Sequence, residues 1–155
     1  IWHANGLGTY SFFDKRQSEF NLRRTIIADN AGHYWAKTTM PLGYGCPPEG
    51  TTQALLHKLG RHGNRPSHVH YFVSAPGYRK LTTQFNIEGD QYLWDDFAFA
   101  TRDGLVAVAV DVSDAAELQR LGATAPVKHI TFNVELVKDQ ATAPTSEVDR
   151  RRVAA

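Results

Sequence analysis

Short apolar or β-branched runs, separated by tight-turn signals, recur along this chain of 155 residues. The runs occupy residues 24–28, 34–38, 68–75, 81–87, 105–112 and 129–137. Between them, Asp29-Asn30-Ala31-Gly32 and Ala75-Pro76-Gly77 are rich in the residues that turns favour, and this punctuation is typical of antiparallel strands. We therefore predict an all-β fold, an antiparallel β-sandwich with short decorating helices.

Two stretches have the signals of short helices, since each follows a candidate N-cap and precedes a glycine suited to end a helix. They are residues 53–59, between Thr52 and Gly60, and residues 114–121, between Ser113 or Asp114 and Gly122. Both are too short to form a layer of the fold, so we expect them to decorate the sheets.

The composition indicates one globular domain that neither crosses a membrane nor binds nucleic acid. With 42% hydrophobic residues the chain can build a core, and no apolar run approaches the roughly 20 residues that cross a bilayer. Its 17 basic and 16 acidic residues are mixed rather than gathered into a basic face. The single cysteine, Cys46, excludes an internal disulfide and a multi-thiolate zinc site, and it favours a cytoplasmic location.

The two ends differ from the middle of the chain. Residues 1–138 carry the strand pattern and are assigned to one domain, whereas residues 139–155 are polar and are predicted to form a tail. The chain begins without Met, and Ile1-Trp2-His3-Ala4-Asn5 has the pattern of a strand interior. We therefore expect it to be the later part of a longer protein.

Two histidines in Arg65-Pro66-Ser67-His68-Val69-His70 are spaced to share one face of a strand. Side chains at i and i+2 point the same way, so His68 and His70 form a candidate metal site; the alternative is an ordinary polar face. Zinc would need a third ligand, and ferrous iron in a facial triad would need a carboxylate. No carboxylate is close in the sequence, and those that the fold could bring near are Glu88, Asp90, Asp95 and Asp96.

Two tyrosines stand next to glycine-rich turns rather than within regular strands. Tyr44 lies between Gly43 and Gly45 in a proline-bounded loop, and Tyr10 follows the turn Asn5-Gly6-Leu7-Gly8. A phenolate oxygen is a hard anionic donor that suits a ferric ion, and a bound cation lowers the pKa of a phenol. Packing or surface exposure is the alternative for either ring. The residues alone therefore leave zinc, ferrous iron, ferric iron and no metal open.

Taken together, these motifs resemble the catalytic part of the intradiol ring-cleaving dioxygenases, from Ile1 to about Leu136. The segments that carry the resemblance are Trp2-His3-Ala4-Asn5, Tyr10-Ser11-Phe12-Phe13-Asp14, Gly43-Tyr44-Gly45-Cys46-Pro47, Gly60-Arg61-His62-Gly63 and Arg65-Pro66-Ser67-His68-Val69-His70-Tyr71-Phe72. The segments that narrow it to the catechol 1,2-dioxygenase branch are Ser74-Ala75-Pro76-Gly77, Leu81-Thr82-Thr83-Gln84 and Tyr92-Leu93-Trp94-Asp95-Asp96-Phe97-Ala98.

The resemblance implies a ferric centre, Fe(3+), with Tyr10, Tyr44, His68 and His70 as its ligands. Tyr10 and His68 would be equatorial, and Tyr44 and His70 would be axial. The implied reaction cleaves catechol with O2 between its two hydroxyl-bearing carbons and gives cis,cis-muconate, a step in the catabolism of aromatic compounds by the β-ketoadipate pathway. Tyr44 would leave the metal when catechol binds through both oxygens, and it would accept a substrate proton.

Roles for residues outside the ligand set also follow from the resemblance. Arg65, which Pro66 holds in extended backbone, would stabilise negative charge that builds on the ring in the transition state. Gln84 would donate a hydrogen bond toward the axial tyrosinate. The residues expected to line the substrate pocket are Cys46, Phe97 and Ala98. For His62, in a loop, we expect a supporting or surface role and no acid–base chemistry.

The resemblance finally implies the partners: catechol, O2 and a second copy of the chain, in a homodimer formed through the family's N-terminal helical part. By the same resemblance, we expect that helical part to be missing from this sequence. Two rival interpretations remain. One is another metalloenzyme, namely a hydroxyquinol or chlorocatechol dioxygenase, or a zinc or ferrous β-sandwich enzyme. The other is a non-catalytic β-sandwich binding module of immunoglobulin or transthyretin type.

Overall fold

The structure is a computed structural model, and it describes residues 1–139. The predicted tail at 139–155 lies, except for Asp139, outside the described residues. The strands are β1 (Trp2–His3), β2 (Tyr44–Gly45), β3 (Asn64–Arg65), β4 (His68–Val73), β5 (Leu81–Ile87), β6 (Val106–Ala107), β7 (Val110–Val112) and β8 (Val127–His129). The helices are α1 (Thr51–Lys58) and α2 (Ala115–Arg120), and a 3-10 turn covers Asp103–Leu105.

The main sheet has four strands in the order β1-β4-β5-β6. Strands β1, β4 and β5 are antiparallel neighbours, whereas β6 pairs in parallel with the end of β5. Strands β2 and β3 form one two-stranded ribbon, and β7 and β8 form another. The prediction of an all-β fold with short decorating helices is confirmed, and the parallel pairing of β6 is the one departure from the antiparallel pattern in the main sheet.

The main sheet has an apolar face and a polar face, because successive side chains of a strand point to opposite sides. The apolar face carries the buried core cluster, which consists of Val69, Tyr71, Phe85, Ile87 and Ala107. Side chains from two segments that are not regular strands pack over this cluster: Tyr34, Met40, Ile130 and Phe132. The opposite face is left for the alternate residues of β4, which include His68 and His70.

Some predicted strands are confirmed and others are wrong. The runs at 68–75 and 81–87 correspond to β4 and β5, and the run at 105–112 is divided between β6 and β7. The runs at 24–28 and 34–38 are not strands, and the run at 129–137 joins β8 only at its first residue. The runs at 24–28 and 34–38 are mainly exposed, with Ile27 at 90% and Trp35 at 76%, so their apolar residues do not mark the buried face of a sheet.

Both predicted helices are confirmed within one or two residues at each end. The N-cap of α1 is Gly50 rather than Thr52, and no side chain caps that end. The N-cap of α2 is Asp114, whose carboxylate accepts a hydrogen bond from the Glu117 amide at 3.0 Å. Glycines at positive φ, +66° at Gly60 and +62° at Gly122, follow the two helix ends, as expected for residues that reverse the chain there. Neither helix, nor any other within residues 1–139, has the length and apolar character needed to span a bilayer.

Candidate metal centre

Strand β4 brings two imidazoles together on the polar face of the main sheet. The Nε2 atoms of His68 and His70 lie 3.0 Å apart, and the two ring planes are nearly perpendicular. Opposite them on β5 are Asn86, in register with His68, and Gln84, in register with His70. His68 and His70, at positions i and i+2, therefore point to the same face of the strand as predicted, and both imidazoles converge on one point.

Two phenol oxygens from distant parts of the chain converge on the same point. The Oη atoms of Tyr10 and Tyr44 lie 3.4 Å and 3.5 Å from the Nε2 atom of His68. The two phenol rings contact each other edge to face, with their centroids 5.2 Å apart. The structure thus assembles the four predicted ligands around one small volume.

Glycines allow the backbone segments that carry these tyrosines to approach each other closely. A Cβ at Gly8 would lie 2.5 Å from the carbonyl oxygen of Gly43, and Gly8 also has a positive φ of +72°. A Cβ at Gly43 would in turn lie 2.5 Å from the carbonyl oxygen of Arg65. The segments leading to Tyr10, Tyr44 and His68 are therefore stacked at a separation that only glycine permits.

The His68 ring is held with its Nε2 lone pair toward the centre. Its Nδ1 atom lies 2.6 Å from the Pro66 carbonyl oxygen, which can only accept a hydrogen bond, so Nδ1 carries the proton. Burial, followed by the positive charge of Arg65, lowers the pKa of His68 to about 4. The imidazole is therefore neutral at physiological pH, which is the form that binds metal.

The His70 ring is also neutral and is fixed by an aromatic neighbour. Burial lowers its pKa to about 3, with further contributions from His68 and from the charge of Arg65. The Trp2 ring stacks on it at a centroid distance of 4.6 Å and an interplanar angle of 11°. Trp2 lies opposite His70 in the β1–β4 pairing, so the sheet itself sets this stack.

Tyr10 is protonated unless a cation is present. Burial raises the pKa of the Tyr10 phenol well above its usual value, and the hydrogen bond and charge of Tyr44 act in the same direction. Arg65 opposes this shift only in part. A phenolate at this position therefore needs a bound metal ion, because the protein alone does not stabilise the negative charge.

The donor set fits a ferric ion. Donors bonded to one first-row ion at about 2.0–2.2 Å lie about 3 Å from their neighbours. The Nε2 atom of His68 lies at a similar distance, 3.0–3.5 Å, from the other three donor atoms. Within residues 1–139, no group of three His, Cys, Asp or Glu side chains could hold a metal, so a metal at this point depends on the two tyrosines. Two phenolates and two imidazoles combine hard oxygen with nitrogen, and the phenolates favour the higher charge of Fe(3+).

Arg65 lies directly beside the four donors. Its Nη1 atom is 3.3 Å from the Oη atom of Tyr44 and 3.2 Å from the Nε2 atom of His68. Its other nitrogens contact Asp96 and Gln84. Burial acts against the charge of the guanidinium, but the hydrogen bonds to Asp96 and Tyr44 outweigh this effect and raise the pKa of Arg65. A fixed positive charge therefore stands at the edge of the site.

Gln84 is close to the site but has different partners from those expected. Its Oε1 atom accepts a hydrogen bond from Nη2 of Arg65 at 2.9 Å, and its Nε2 group donates to Oδ1 of Asn86 at 3.1 Å. Among the described residues, no hydrogen bond joins Gln84 to Tyr10 or Tyr44. Gln84 thus supports Arg65, and the expected donation toward an axial tyrosinate is not present.

The residues expected to line the substrate pocket fall into two places. Cys46 lines a cavity of about 470 Å³, whose other lining residues are Gly45, Pro48, Gln53, His57 and Asn64. Phe97 and Ala98 lie beyond the lining of that cavity, where the Phe97 amide donates to the Asn64 carbonyl and the Ala98 amide donates to Asp96. Asn64 therefore borders both places, in the strand that also carries Arg65.

His62 stands apart from the four donor atoms. Its Nδ1 atom accepts a hydrogen bond from the Asn64 amide at 3.0 Å, and its Nε2 atom lies 3.0 Å from the exposed carboxylate of Asp95. One nitrogen accepts and the other donates, so the ring orders the loop before Arg65. Sequence reasoning did not identify a role for Asp96, which it considered only as a candidate metal ligand. No local signal could have found its pairing with Arg65, 31 residues away.

Acid should destabilise the metal-free protein through the two histidines. Both are neutral in the folded state, with pKa values of about 4 and about 3, whereas an unfolded histidine has a pKa near 6.5. Their contribution to stability is therefore complete above about pH 6.5 and is lost as the pH falls toward 4, at a cost on the order of 2–3 kcal/mol for His68.

Denaturant titrations of the metal-free protein between pH 7 and pH 4 measure this loss. The His70→Asn substitution should make the free energy of unfolding less dependent on pH, whereas His33→Asn, at an exposed position, should leave the dependence unchanged. An equal response of the two variants would show that the site histidines do not cause the acid sensitivity.

Comparison with known proteins places this chain in a family. Residues 1–137 match the family described as Dioxygenase. The chain belongs to this dioxygenase family. The earlier resemblance to the intradiol dioxygenases is therefore confirmed, and the donor atoms found here lie in the matched part of the chain.

Several catechol 1,2-dioxygenases are close relatives of this chain. The enzyme of Acinetobacter guillouiae is 72% identical over 144 residues, which is 93% of this chain and 47% of that protein. The enzyme of Acinetobacter baylyi is 52% identical over 156 residues, 99% of this chain and 50% of that protein. The crystal structure of wild-type Acinetobacter radioresistens catechol 1,2-dioxygenase has a TM-score of 0.89 and 78% identity, covering 99% of this chain and 50% of that one.

These relatives establish the fold class of this dioxygenase, because intradiol dioxygenases are β-sandwich proteins. The predicted β-sandwich is thereby confirmed. The chain spans about half the length of the relatives it matches.

Proposed function

We propose that this chain forms the ferric catalytic centre of a catechol 1,2-dioxygenase. The observation that carries the proposal is the convergence of two phenol oxygens on two neutral imidazoles, with all three contacts to the Nε2 atom of His68 between 3.0 and 3.5 Å. The similarity to enzymes of that name supports it, since those relatives match this chain at 52–72% identity. Tyr10, Tyr44, His68 and His70 would hold the ion.

Bound Fe(3+) would supply Lewis-acid activation, drawing electron density from catechol bound as a dianion so that a ring carbon can react with O2. The protein must therefore accept the protons that catechol gives up. We assign this task to Tyr44 rather than to Tyr10, because the Nη1 group of Arg65 donates to the Tyr44 oxygen at 3.3 Å and would stabilise the Tyr44 phenolate when it is released. A Tyr44 phenolate released when catechol binds can accept a catechol proton on its Oη atom.

The second task of the protein is to stabilise charge on the substrate. Arg65 remains positively charged, and its guanidinium is buried next to the donor atoms, where electrostatic interactions are stronger than in water. A cation fixed in place before the reaction needs no reorganisation when negative charge builds on the ring. Arg65 would therefore act in the transition state rather than in metal binding.

The remaining parts of the proposal rest on the family and on composition. We infer catechol and O2 as substrates, giving cis,cis-muconate. We also infer a homodimer and a cytoplasmic location. The catechol branch is favoured over the hydroxyquinol and chlorocatechol branches, because those relatives usually carry a Pro-Ile-Pro type sequence after the loop tyrosine. Here the loop continues Gly45-Cys46-Pro47-Pro48.

The visible absorption spectrum tests the proposal most directly. We expect a broad band from tyrosinate-to-iron charge transfer in the isolated protein, and a shift of this band to longer wavelength when catechol is added without oxygen. Admitting O2 should then convert catechol to cis,cis-muconate, at a higher rate than hydroxyquinol or chlorocatechol is converted to its own substituted ring-opened product.

Three results would contradict parts of this proposal. A colourless protein that retains its metal would exclude tyrosinate–iron coordination. An iron band indifferent to catechol would exclude substrate chelation. Faster turnover of hydroxyquinol or a chlorocatechol would retain the ferric site and move the chain to that branch of the family.

A further inference from the structure

The hydrogen bonds of Arg65 divide its guanidinium into two ends. A guanidinium has five N–H donors in a rigid plane. The Nε group donates to Oδ1 of Asp96 at 3.1 Å, and Nη2 donates to Oδ2 of Asp96 at 3.1 Å and to Oε1 of Gln84 at 2.9 Å. These three bonds use every N–H on one edge. Only the Nη1 group remains, and it faces Tyr44 and His68.

Asp96 is built to hold this edge in place. Its side chain is 1% exposed, and both of its oxygens also accept backbone hydrogen bonds, from the Ala98 amide at 3.0 Å and from the Ala100 amide at 3.2 Å. Burial would raise the pKa of Asp96, but the hydrogen bonds from Arg65 and from these amides outweigh it and keep the pKa below its usual value. The carboxylate is therefore ionised and fixed to the backbone of residues 98–100.

We propose that Asp96 is a positioning residue, which orients the Arg65 guanidinium so that Nη1 is directed at the Tyr44 oxygen. The pair is bidentate and planar, so it restricts both the position and the rotation of the guanidinium. This role rests on the proposed function, because it acts on the cation assigned there to transition-state stabilisation. Asp96 does not contact Tyr44 or His68 in the described hydrogen bonds and therefore acts through Arg65.

The physical reason is that an arginine side chain without fixed partners has many rotamers, so the Asp96 carboxylate is what keeps Arg65 in one orientation. Without the carboxylate, the Nε and Nη2 groups would be buried with only Gln84 as acceptor, and the side chain would turn toward other oxygens. A displacement of about 1 Å in such a group costs about 100-fold in rate. Gln84 provides one bond of the three, and it cannot fix the plane alone.

The test is a double-mutant cycle in the iron-loaded protein. Asp96→Asn keeps one carbonyl oxygen, for one of the two backbone amides, but removes the charge and the second acceptor. We expect it to lower kcat about 100-fold, with KM for catechol changed less than about threefold and with full iron content. In an Arg65→Gln background, Asp96→Asn should lower kcat less than about threefold, because there is no longer a guanidinium to orient.

The matched control is Asp95→Asn, which makes the same chemical change one residue earlier. The Asp95 side chain is 77% exposed and contacts His62 rather than Arg65. We expect it to change kcat less than about twofold. Equal losses of kcat in Asp95→Asn and Asp96→Asn would assign the effect to the loop as a whole and would overturn the proposal.

A second readout does not depend on activity. In the metal-free protein, Asp96→Asn should lower the Tm clearly when Arg65 is present and by less than half as much in the Arg65→Gln background, because the partner charge is then gone. The proposal would be overturned if Asp96→Asn lowered Tm equally, or lowered kcat equally, in the presence of Arg65 and in the Arg65→Gln background. It would also be overturned if the loss of kcat in Asp96→Asn were explained by a matching loss of iron. A colourless and inactive wild-type protein would instead overturn the proposed function, and the Tm cycle would still report whether the pair orients Arg65.

Discussion

The His68→Gln protein is expected to lose its iron and its visible band, and to have no measurable dioxygenase activity. His68 is the residue on which the site converges, since its Nε2 atom lies within 3.5 Å of donor atoms from Tyr10, Tyr44 and His70. Substituting groups that only support a ligand already costs 10–100-fold in metal affinity, so loss of the ligand itself should cost more than about 100-fold. Iron per chain and muconate release measure the two effects.

The control is His33→Gln, at a histidine whose side chain is 82% exposed and which pairs with Asp29. It should keep full iron content and full activity. Iron retained at the wild-type level in His68→Gln would show that the ion is held elsewhere. Iron lost together with the fold would be detected by circular dichroism, and His70→Gln, at a less buried position, would then repeat the test.

The Gly43→Ala protein is expected to lose about 2–3 kcal/mol of stability and most of its activity. The added Cβ would lie 2.5 Å from the Arg65 carbonyl oxygen and 3.3 Å from backbone atoms of Pro66 and Ser67, so backbone rather than a flexible side chain would have to move. That movement would separate β2 from β3, which carry Tyr44 and Arg65 as directly paired residues. Denaturant unfolding and the rate of muconate release measure the two losses.

Gly6→Ala is the matched control, because it adds the same methyl group to a glycine with no atom within 4 Å of the new Cβ. We expect its stability to change by less than about 0.5 kcal/mol and its activity to be retained. If Gly43→Ala were as stable and active as Gly6→Ala, the close approach of the Tyr44 loop to Arg65 would not be needed for the site.

The two largest effects thus have different physical causes, the loss of a metal ligand and the loss of close backbone packing. His68 supplies a donor atom from a regular strand, and its substitution removes one bond to the metal. Gly43 contributes no donor, and its substitution changes the distance between two segments that do. Both substitutions are expected to remove most or all of the activity, but only Gly43→Ala should strongly lower the stability of the metal-free protein. This difference distinguishes the loss of a metal ligand from a change in backbone packing.

The local sequence pattern was sufficient to predict the two central strands of the main sheet and the pair of imidazoles on one strand face. The alternation of His68-Val69-His70-Tyr71 requires a strand with a polar and an apolar face, and β4 has both. The runs at 24–28 and 34–38 are not strands, and their large apolar side chains Ile27 and Trp35 are 90% and 76% exposed rather than packed on a sheet. An apolar run becomes a strand only where a partner strand is available. Whether a partner is available depends on residues far away in the sequence, which periodicity does not contain.

The sequence by itself determined the β class, the two helix ends at Gly60 and Gly122, and the pair of imidazoles on one strand face, because each follows from interactions between residues close in the chain. Only the tertiary structure decided that Tyr10 and Tyr44 meet that pair, that Gln84 bonds to Arg65, and that Asp96 holds the guanidinium. These contacts join residues 19 to 58 positions apart. Such distances are closed by backbone packing at glycines and by burial of charge, which act only in the folded chain.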